Sequence, residues 1–193
     1  MNGIKLFVGL GNPGTEYDKT RHNAGFWWID YLCEQTSTIL KFESKFFGLA
    51  GKLNMPGEEA WLLKPNTFMN NSGRSVSALS SYYKIPHDSI LVVHDELDLP
   101  PGTVKLKLGG GNGGHNGLKD ISSSLNTQQF WRLRLGIGHP GERNEVVNFV
   151  LHAPTKNELT DIQTNIIESS LVLSQLLKGS FEEAMLKLHT KKN

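Results

Sequence analysis

The chain has 193 residues, 38% of them hydrophobic and 20% charged, with a formal net charge of +1. That length and balance suit one soluble globular domain with a real core, and near-neutrality excludes a uniformly basic nucleic-acid binder, so any nucleic-acid partner must be met by a local basic patch. The single cysteine, Cys33, excludes an internal disulfide, and its apolar surroundings in residues 26–33 predict a buried, inert thiol. No apolar run approaches the ~20 residues needed to span a bilayer. The first ten residues lack the apolar core and cleavage site of a signal peptide. A cytoplasmic protein without a membrane partner is expected.

Residues 4–10 form a short apolar run that predicts a buried strand, leading straight into Gly11-Asn12-Pro13-Gly14. Residues 24–36 crowd aromatic and aliphatic side chains on one side and predict a helix. Residues 46–54 and 60–63 have strand character on either side of the turn Pro56-Gly57. Residues 72–84 predict a helix stopped before Pro86, and the β-branched run 89–93 predicts a central strand. An acidic, proline-containing loop follows over 95–102. Residues 103–108 alternate apolar and basic side chains, as a half-exposed strand does. A glycine-rich run over 109–117 precedes a helix ending near Leu125, and 131–137 alternate again with Arg132 and Arg134 on one side. Thr155-Lys156-Asn157-Glu158 and Ser180-Phe181-Glu182-Glu183 read as capping boxes of two C-terminal helices. Leu159, Ile162, Ile166 and Leu173 share a helical stripe, and Gly179 stands where a C′ glycine belongs. Strands mixed with helices, without repeat or linker, predict a single α/β domain over residues 1–193.

In open α/β sheets, ligands bind beyond the carboxyl ends of the strands. That rule selects Asn12 after the first strand, Asn66 to Asn71 after the strand around Leu63, His94-Asp95-Glu96 after that around Val92, and Gly114-His115-Asn116-Gly117 after that around Leu106. Polar side chains that can converge there are Asn12, Asn70, Asp95, Asn116 and the nearby His22. Gly9-Leu10-Gly11-Asn12-Pro13-Gly14 fits a dinucleotide fingerprint in letters only. Pro13 and the polar run that follows delay the helix that should receive a pyrophosphate, and Asp30 lies in a helix rather than at a strand end. A tight turn projecting Asn12 is the better reading, which disfavours a nucleotide-dependent oxidoreductase. The run 109–117 lacks the lysine and hydroxyl ending of a P-loop, because Leu118 precedes Lys119. It either offers N–H groups to an anion or is a plain mobile loop.

No G-x-S-x-G elbow occurs; Gly73-Arg74-Ser75-Val76-Ser77 lacks the last glycine. No histidine–cysteine–carboxylate set has zinc spacing, so no metal and no cofactor are expected. What remains is a histidine activating water, since neutral imidazole accepts a proton near pH 7, with a carboxylate to hold its tautomer. Of seven histidines, His189 lies in a basic tail and is expected to be solvated, and His87, His139 and His152 sit in turns or beside prolines. His22 leads among the remaining three, with His115 second.

The blocks Gly9–Gly14, Tyr17, Thr20-Arg21-His22-Asn23-Ala24-Gly25, Thr67-Phe68-Met69-Asn70-Asn71-Ser72-Gly73, His94 to Pro100, Gly113 to Lys119 and Arg134 to Pro140 resemble, in order, the signatures of bacterial-type peptidyl-tRNA hydrolases. The likeness runs from residue 4 to about 152. It implies a twisted mixed β-sheet flanked by helices, a monomer, and peptidyl-tRNA as partner. The implied activity is hydrolysis of the ester between a peptide and the terminal ribose of tRNA, which recycles stranded tRNA. His22 would be the general base on water, with Asp95 holding it. Asn12 would read the peptide next to the ester and help reject unblocked aminoacyl-tRNA. Asn70, Asn116 and His115 would contact peptide or water, and Tyr17, Phe68 and Met69 would line the product end. Lys105 and Arg134 would grip tRNA phosphate, with Lys107, Lys119 and Arg132 as neighbours; if neither of the pair touches phosphate, the alternatives are Lys119 or the C-terminal Lys187, Lys191 and Lys192. Some proteins of the same fold bind RNA without hydrolysing it; the intact set of Asn12, His22, Asn70, Asp95 and Asn116 favours the enzyme.

Overall fold

The apolar run at the start of the chain has no polar face, and it lies where both its faces are covered. In the computed structural model, which describes residues 1–190, it forms β1 (Leu6–Gly9), the middle of seven strands. The others are β2 (Lys41–Glu43), β3 (Gly48–Met55), β4 (Glu58–Pro65), β5 (Ile90–Glu96), β6 (Val104–Leu108) and β7 (Trp131–Gly136). They pair in the order β2-β3-β4-β1-β5-β7-β6. β4, β1, β5 and β7 run parallel; β2, β3 and β6 each run antiparallel to their inner neighbours, so the sheet is mixed.

Seven helices cover the sheet: α1 (Ala24–Thr36), α2 (Ser72–Tyr82), α3 (Asn116–Leu125), α4 (Val146–Val150), α5 (Lys156–Ser170), α6 (Leu173–Lys178) and α7 (Phe181–His189). Strand alternation divides the core in two. Leu6, Val8, Ile90 and Val92 meet Val76 and Leu79 of α2 and Leu118 and Ile121 of α3. Phe7, Leu91, Val93 and Leu133 meet Trp28 and Ile29 of α1, Ile162 of α5, Leu176 of α6 and Phe181 of α7. The glycines of the first loop serve packing. A Cβ on Gly25 would lie 2.3 Å from the Val93 carbonyl oxygen, and one on Gly9 would lie 2.3 Å from that of Gly25. Only glycine therefore lets α1 start against the ends of β1 and β5, which is what brings His22 to the sheet.

Several expectations need correction. β5 runs on through His94 and Asp95, so those residues are strand rather than loop. β6 runs antiparallel, so its carboxyl end points away from those of β1, β4, β5 and β7. The glycine-rich stretch carries the chain back, with left-handed backbone at Gly109, Gly110, Gly113 and Gly114. It is pinned by Arg132, whose two Nη groups donate to the carbonyls of Gly111 at 2.6 Å and Gly110 at 2.8 Å. At those two glycines the loop therefore spends carbonyls on a cation. The stripe from Leu159 to Leu173 is broken, since α5 ends at Ser170 and α6 starts at Leu173. β2 and α4 escape sequence reading because three and five residues are too few to show a period. Cys33 is half-buried, and burial and Asp30 push its thiol up to about 11, which keeps it inert. His189 is not simply solvated: its Nε2 accepts the Leu106 N–H at 2.9 Å, closing part of the β6 edge.

The capping box at Thr155 is complete. Thr155 Oγ1 accepts the Glu158 N–H, and Glu158 Oε2 accepts the Thr155 N–H. At Ser180 the side chain makes no cap bond. Thr155→Ala is therefore expected to cost about 1 kcal/mol of stability, and Ser180→Ala roughly a few tenths at most. Urea unfolding of the two variants checks this, and equal losses would mean that Ser180 caps α7 in solution.

Candidate active site

Three parallel strands end side by side and set out the candidate groups. β5 delivers Asp95, which is 2% exposed. The turn after β1 delivers Asn12, and a 3-10 turn at Arg21–Asn23, just before α1, delivers His22. The 3-10 turn Met69–Asn71 after β4 delivers Asn70, and the start of α3 delivers His115 and Asn116. His22 and Asp95, 73 positions apart, meet: His22 Nδ1 is 2.9 Å from Asp95 Oδ2. His115 Nε2 lies 2.8 Å from Asp95 Oδ1. One carboxylate thus holds two imidazoles.

The hydrogen bonds define the tautomers. His115 Nδ1 accepts the N–H groups of Gly117 at 3.1 Å and Leu118 at 3.4 Å, capping α3. Its proton is therefore on Nε2, donated to Asp95. A carboxylate is acceptor-only, so His22 donates through Nδ1–H and keeps a lone pair on Nε2. That nitrogen has no partner among the described residues, and His22 lines a cavity of about 240 Å³. Burial pushes the His22 pKa down, but the charge and hydrogen bond of Asp95 outweigh it and raise the value above 6.5. Burial pushes Asp95 up, and the two histidines overcome it, leaving the carboxyl well below its usual range. His94, fully enclosed and close to His115, is driven down to about 3 and stays neutral; its Nδ1–H donates to the Asp95 carbonyl at 2.8 Å.

Asn12 is oriented as firmly as His22. Its Oδ1 accepts the Met69 N–H at 2.7 Å. Its backbone is clamped by Asn23, which accepts the Asn12 N–H at 2.8 Å and donates to the Asn12 carbonyl at 3.0 Å. The amide NH₂ of Asn12 is left to face the cavity as a donor. Asn70 and Asn116 line the same cavity with no side-chain hydrogen bond among the described residues. Phe68 and Met69 line it as well, while Tyr17 is not among its lining residues and packs edge-on against Phe68 with ring centroids 6.2 Å apart. One wall of the cavity is apolar, made by Val146, Val147, Val150 and Leu151 on and after α4. That wall and the clamp residue Asn23 have no role in the sequence reading. The only available signal for Asn23 was its place beside His22.

The basic residues are not all in one place. Lys105 and Arg134 are cross-strand partners, yet Arg134 lines a second hollow with Lys107 and Arg132, while Lys105 lines a groove with Lys187 and His189. Arg134 Nε donates to Glu96 Oε1 at 2.7 Å, and Glu96 lines both the active cavity and the second hollow. Arg132 is buried and engaged by the glycine loop, so it is a support. Lys119 is exposed outside both hollows, and Lys191 and Lys192 lie outside the described residues. Donor atoms of His22, Asp95 and His115 lie within 4.8 Å of one another, a composition that can suit a transition metal. Such an ion would have to displace both protons that the imidazoles share with Asp95. No described helix is long and apolar enough to cross a membrane.

Residues 6–193 match the family model described as peptidyl-tRNA hydrolase. The chain is 66% identical to the peptidyl-tRNA hydrolase of Methylobacillus flagellatus over 99% of both chains, and 54% identical to that of Nitrosospira multiformis over 98% of this chain and 99% of the relative. It superposes on the crystal structure of peptidyl-tRNA hydrolase from Acinetobacter baumannii with a TM-score of 0.96 at 44% identity, covering 100% of this chain and 97% of that one. The shared fold, the near-complete coverage and the identity together mean that this chain belongs to the peptidyl-tRNA hydrolase family.

Proposed function

We propose that His22, held by Asp95, is the general base with which this peptidyl-tRNA hydrolase cleaves the ester between peptide and tRNA. The observation that carries the proposal is the unpartnered Nε2 of His22 facing the cavity while Nδ1–H is spent on Asp95. Nε2 takes a proton from water as the oxygen attacks the ester carbonyl carbon. Collapse of the tetrahedral intermediate breaks the bond to the ribose oxygen, which recovers the proton from His22. Asp95 keeps the ring oriented and stabilises the imidazolium. The NH₂ of Asn12 donates to a peptide carbonyl beside the ester. An unblocked amino acid offers an ammonium there, which a donor cannot satisfy, so discrimination follows from the orientation of one amide. Asn70 and Asn116 supply both donors and acceptors for a peptide main chain of any sequence, and Phe68 and Met69 with Tyr17 form the exit side.

No metal is needed in this scheme, a cytoplasmic reaction fits a substrate carried on tRNA, and a monomer suffices because every group named is on one chain. The test is release of N-acetylated amino acid from tRNA in the presence of a chelator, with unacetylated aminoacyl-tRNA as control. Binding without release, or activity lost to the chelator and restored by zinc, sinks the proposal.

For tRNA phosphate, Arg134 is the central contact, since Nε is held by Glu96 and the two Nη groups remain available. Lys105 and Lys107 flank it on β6. Each residue that touches phosphate should, on replacement by alanine, flatten the dependence of log affinity on log salt by ~0.7–0.9. Lys105 lines a separate groove, so a wild-type slope for Lys105→Ala beside a flattened one for Lys107→Ala would move the grip to Lys107. Wild-type slopes for all three variants would place the tRNA elsewhere.

A further inference from the structure

Arg21 precedes the general base and is buried, yet none of its bonds is to the catalytic groups. Its Nη1 donates to the carbonyls of Phe149 at 3.0 Å and His152 at 3.4 Å, and its own N–H donates to the His152 carbonyl at 3.0 Å. Nη2 is 2.9 Å from Glu158 Oε2, and the guanidinium lies 3.9 Å from the centroid of the Phe149 ring. Glu158 is held in its charged form: burial works against it, but the Thr155 N–H and Arg21 lower its pKa.

These contacts converge on α4. A helix of five residues cannot persist alone, since nucleation is not repaid over so few hydrogen bonds, and its last carbonyls need donors. His152 meets the Asn148 and Phe149 carbonyls, and Arg21 adds a charged donor to that of Phe149, binds the His152 carbonyl just beyond the helix, and ties the end of α4 to the start of α5 through the same carboxylate that completes the capping box. α4 in turn provides Val146, Val147 and Val150 as the apolar wall of the cavity that His22 also lines.

We propose that Arg21, with Glu158, is a positioning residue that sets the α4 wall at its distance from His22, and that this wall receives the side chain of the esterified amino acid. The inference rests on the reading of the cavity as the acyl site. It predicts a dependence on acyl size that a plain stability role does not. For Arg21→Ala, KM for tRNA carrying N-acetylleucine or N-acetylphenylalanine should rise roughly tenfold, the scale of one lost charged hydrogen bond. KM for N-acetylglycine should rise much less, and the acid limb of the pH–rate profile should stay in place because the His22–Asp95 pair is untouched. Arg21→Lys should recover part of the loss. Glu158→Gln, which keeps an acceptor for the Thr155 N–H, should show the same pattern at smaller size and covers the case in which Arg21→Ala fails to fold. A uniform KM change across acyl groups, a lowered Tm alone, or a displaced pH profile would each overturn the proposal. Release of acetylated amino acid by wild type separates its failure from failure of the proposed reaction: wild type must release acetylated amino acids whatever the Arg21 variants do.

Discussion

Replacing His22 with alanine is expected to lower kcat by roughly 10²–10⁴-fold, the usual contribution of a general base, while tRNA affinity stays nearly unchanged. The basic residues proposed to meet tRNA lie on β6 and β7, outside the cavity that His22 lines, so the effect should fall on kcat. Among the other histidines, His115 is the nearest substitute, and its geometry argues against it. Its Nδ1 lone pair is shared by two N–H groups of α3 and its Nε2–H is donated to Asp95, which leaves no free base. Single-turnover rates and tRNA binding, measured on the same variant, check the prediction. A near wild-type rate would show that the base is elsewhere. A loss of tRNA affinity equal to the loss of rate would show that His22 binds rather than reacts.

Much of this site is legible in the sequence because its members sit where parallel strands end. Asn12, Asn70 and Asp95 follow that rule, and each belongs to a parallel strand or the turn after one. Asn116 reaches the site by a different route. The rule assigns it to the carboxyl end of a strand that runs the other way, and a stretch with five glycines between Leu108 and His115 returns the chain. Strand direction at a sheet edge leaves no mark on a five-residue alternating pattern such as Val104–Leu108. The same ignorance of side-chain direction hides which lysine shares a hollow with Arg134, since Lys105 and Lys107 share one face of the strand and differ only in where their ends rest.

The remaining groups were hidden because their partners are backbone. Arg132 reads as a surface base in an alternating strand, and its role appears only once Gly110 and Gly111 are folded against it. Asn23 acts on the N–H and carbonyl of Asn12, and no side-chain pattern reports that. Ser180 shows the opposite error: the letters of a capping box are present, but its side chain makes no bond to the helix start. The basic residues around His189 predict a solvated side chain, whereas the edge strand β6 needs an acceptor for the Leu106 N–H and finds it there.

Asp95→Asn is expected to lower kcat by a factor similar to that of His22→Ala, about 10²–10⁴-fold, for a reason specific to this site. Asp95 accepts from two imidazole N–H groups at once, and an amide has only one acceptor oxygen. His115 cannot yield, because a proton on its Nδ1 would face the N–H groups of Gly117 and Leu118. The introduced oxygen therefore goes to His115, and the NH₂ goes to His22. His22 must then accept through Nδ1 and carry its proton on Nε2, so the lone pair leaves the cavity. The pH profile should move as well. Asp95 raises the His22 pKa against a burial effect that lowers it, so without the charge the acid limb of the residual activity should shift to lower pH. A double variant separates this account from simple loss of charge. Adding His115→Ala frees the amide oxygen for His22, which should recover part of the rate lost in Asp95→Asn even though α3 loses its cap. Coupling of this sign between neighbouring sites is what a double-mutant cycle measures. If the double variant is slower than Asp95→Asn alone, or if the acid limb does not move, then Asp95 acts on the reaction by some route other than the tautomer of His22.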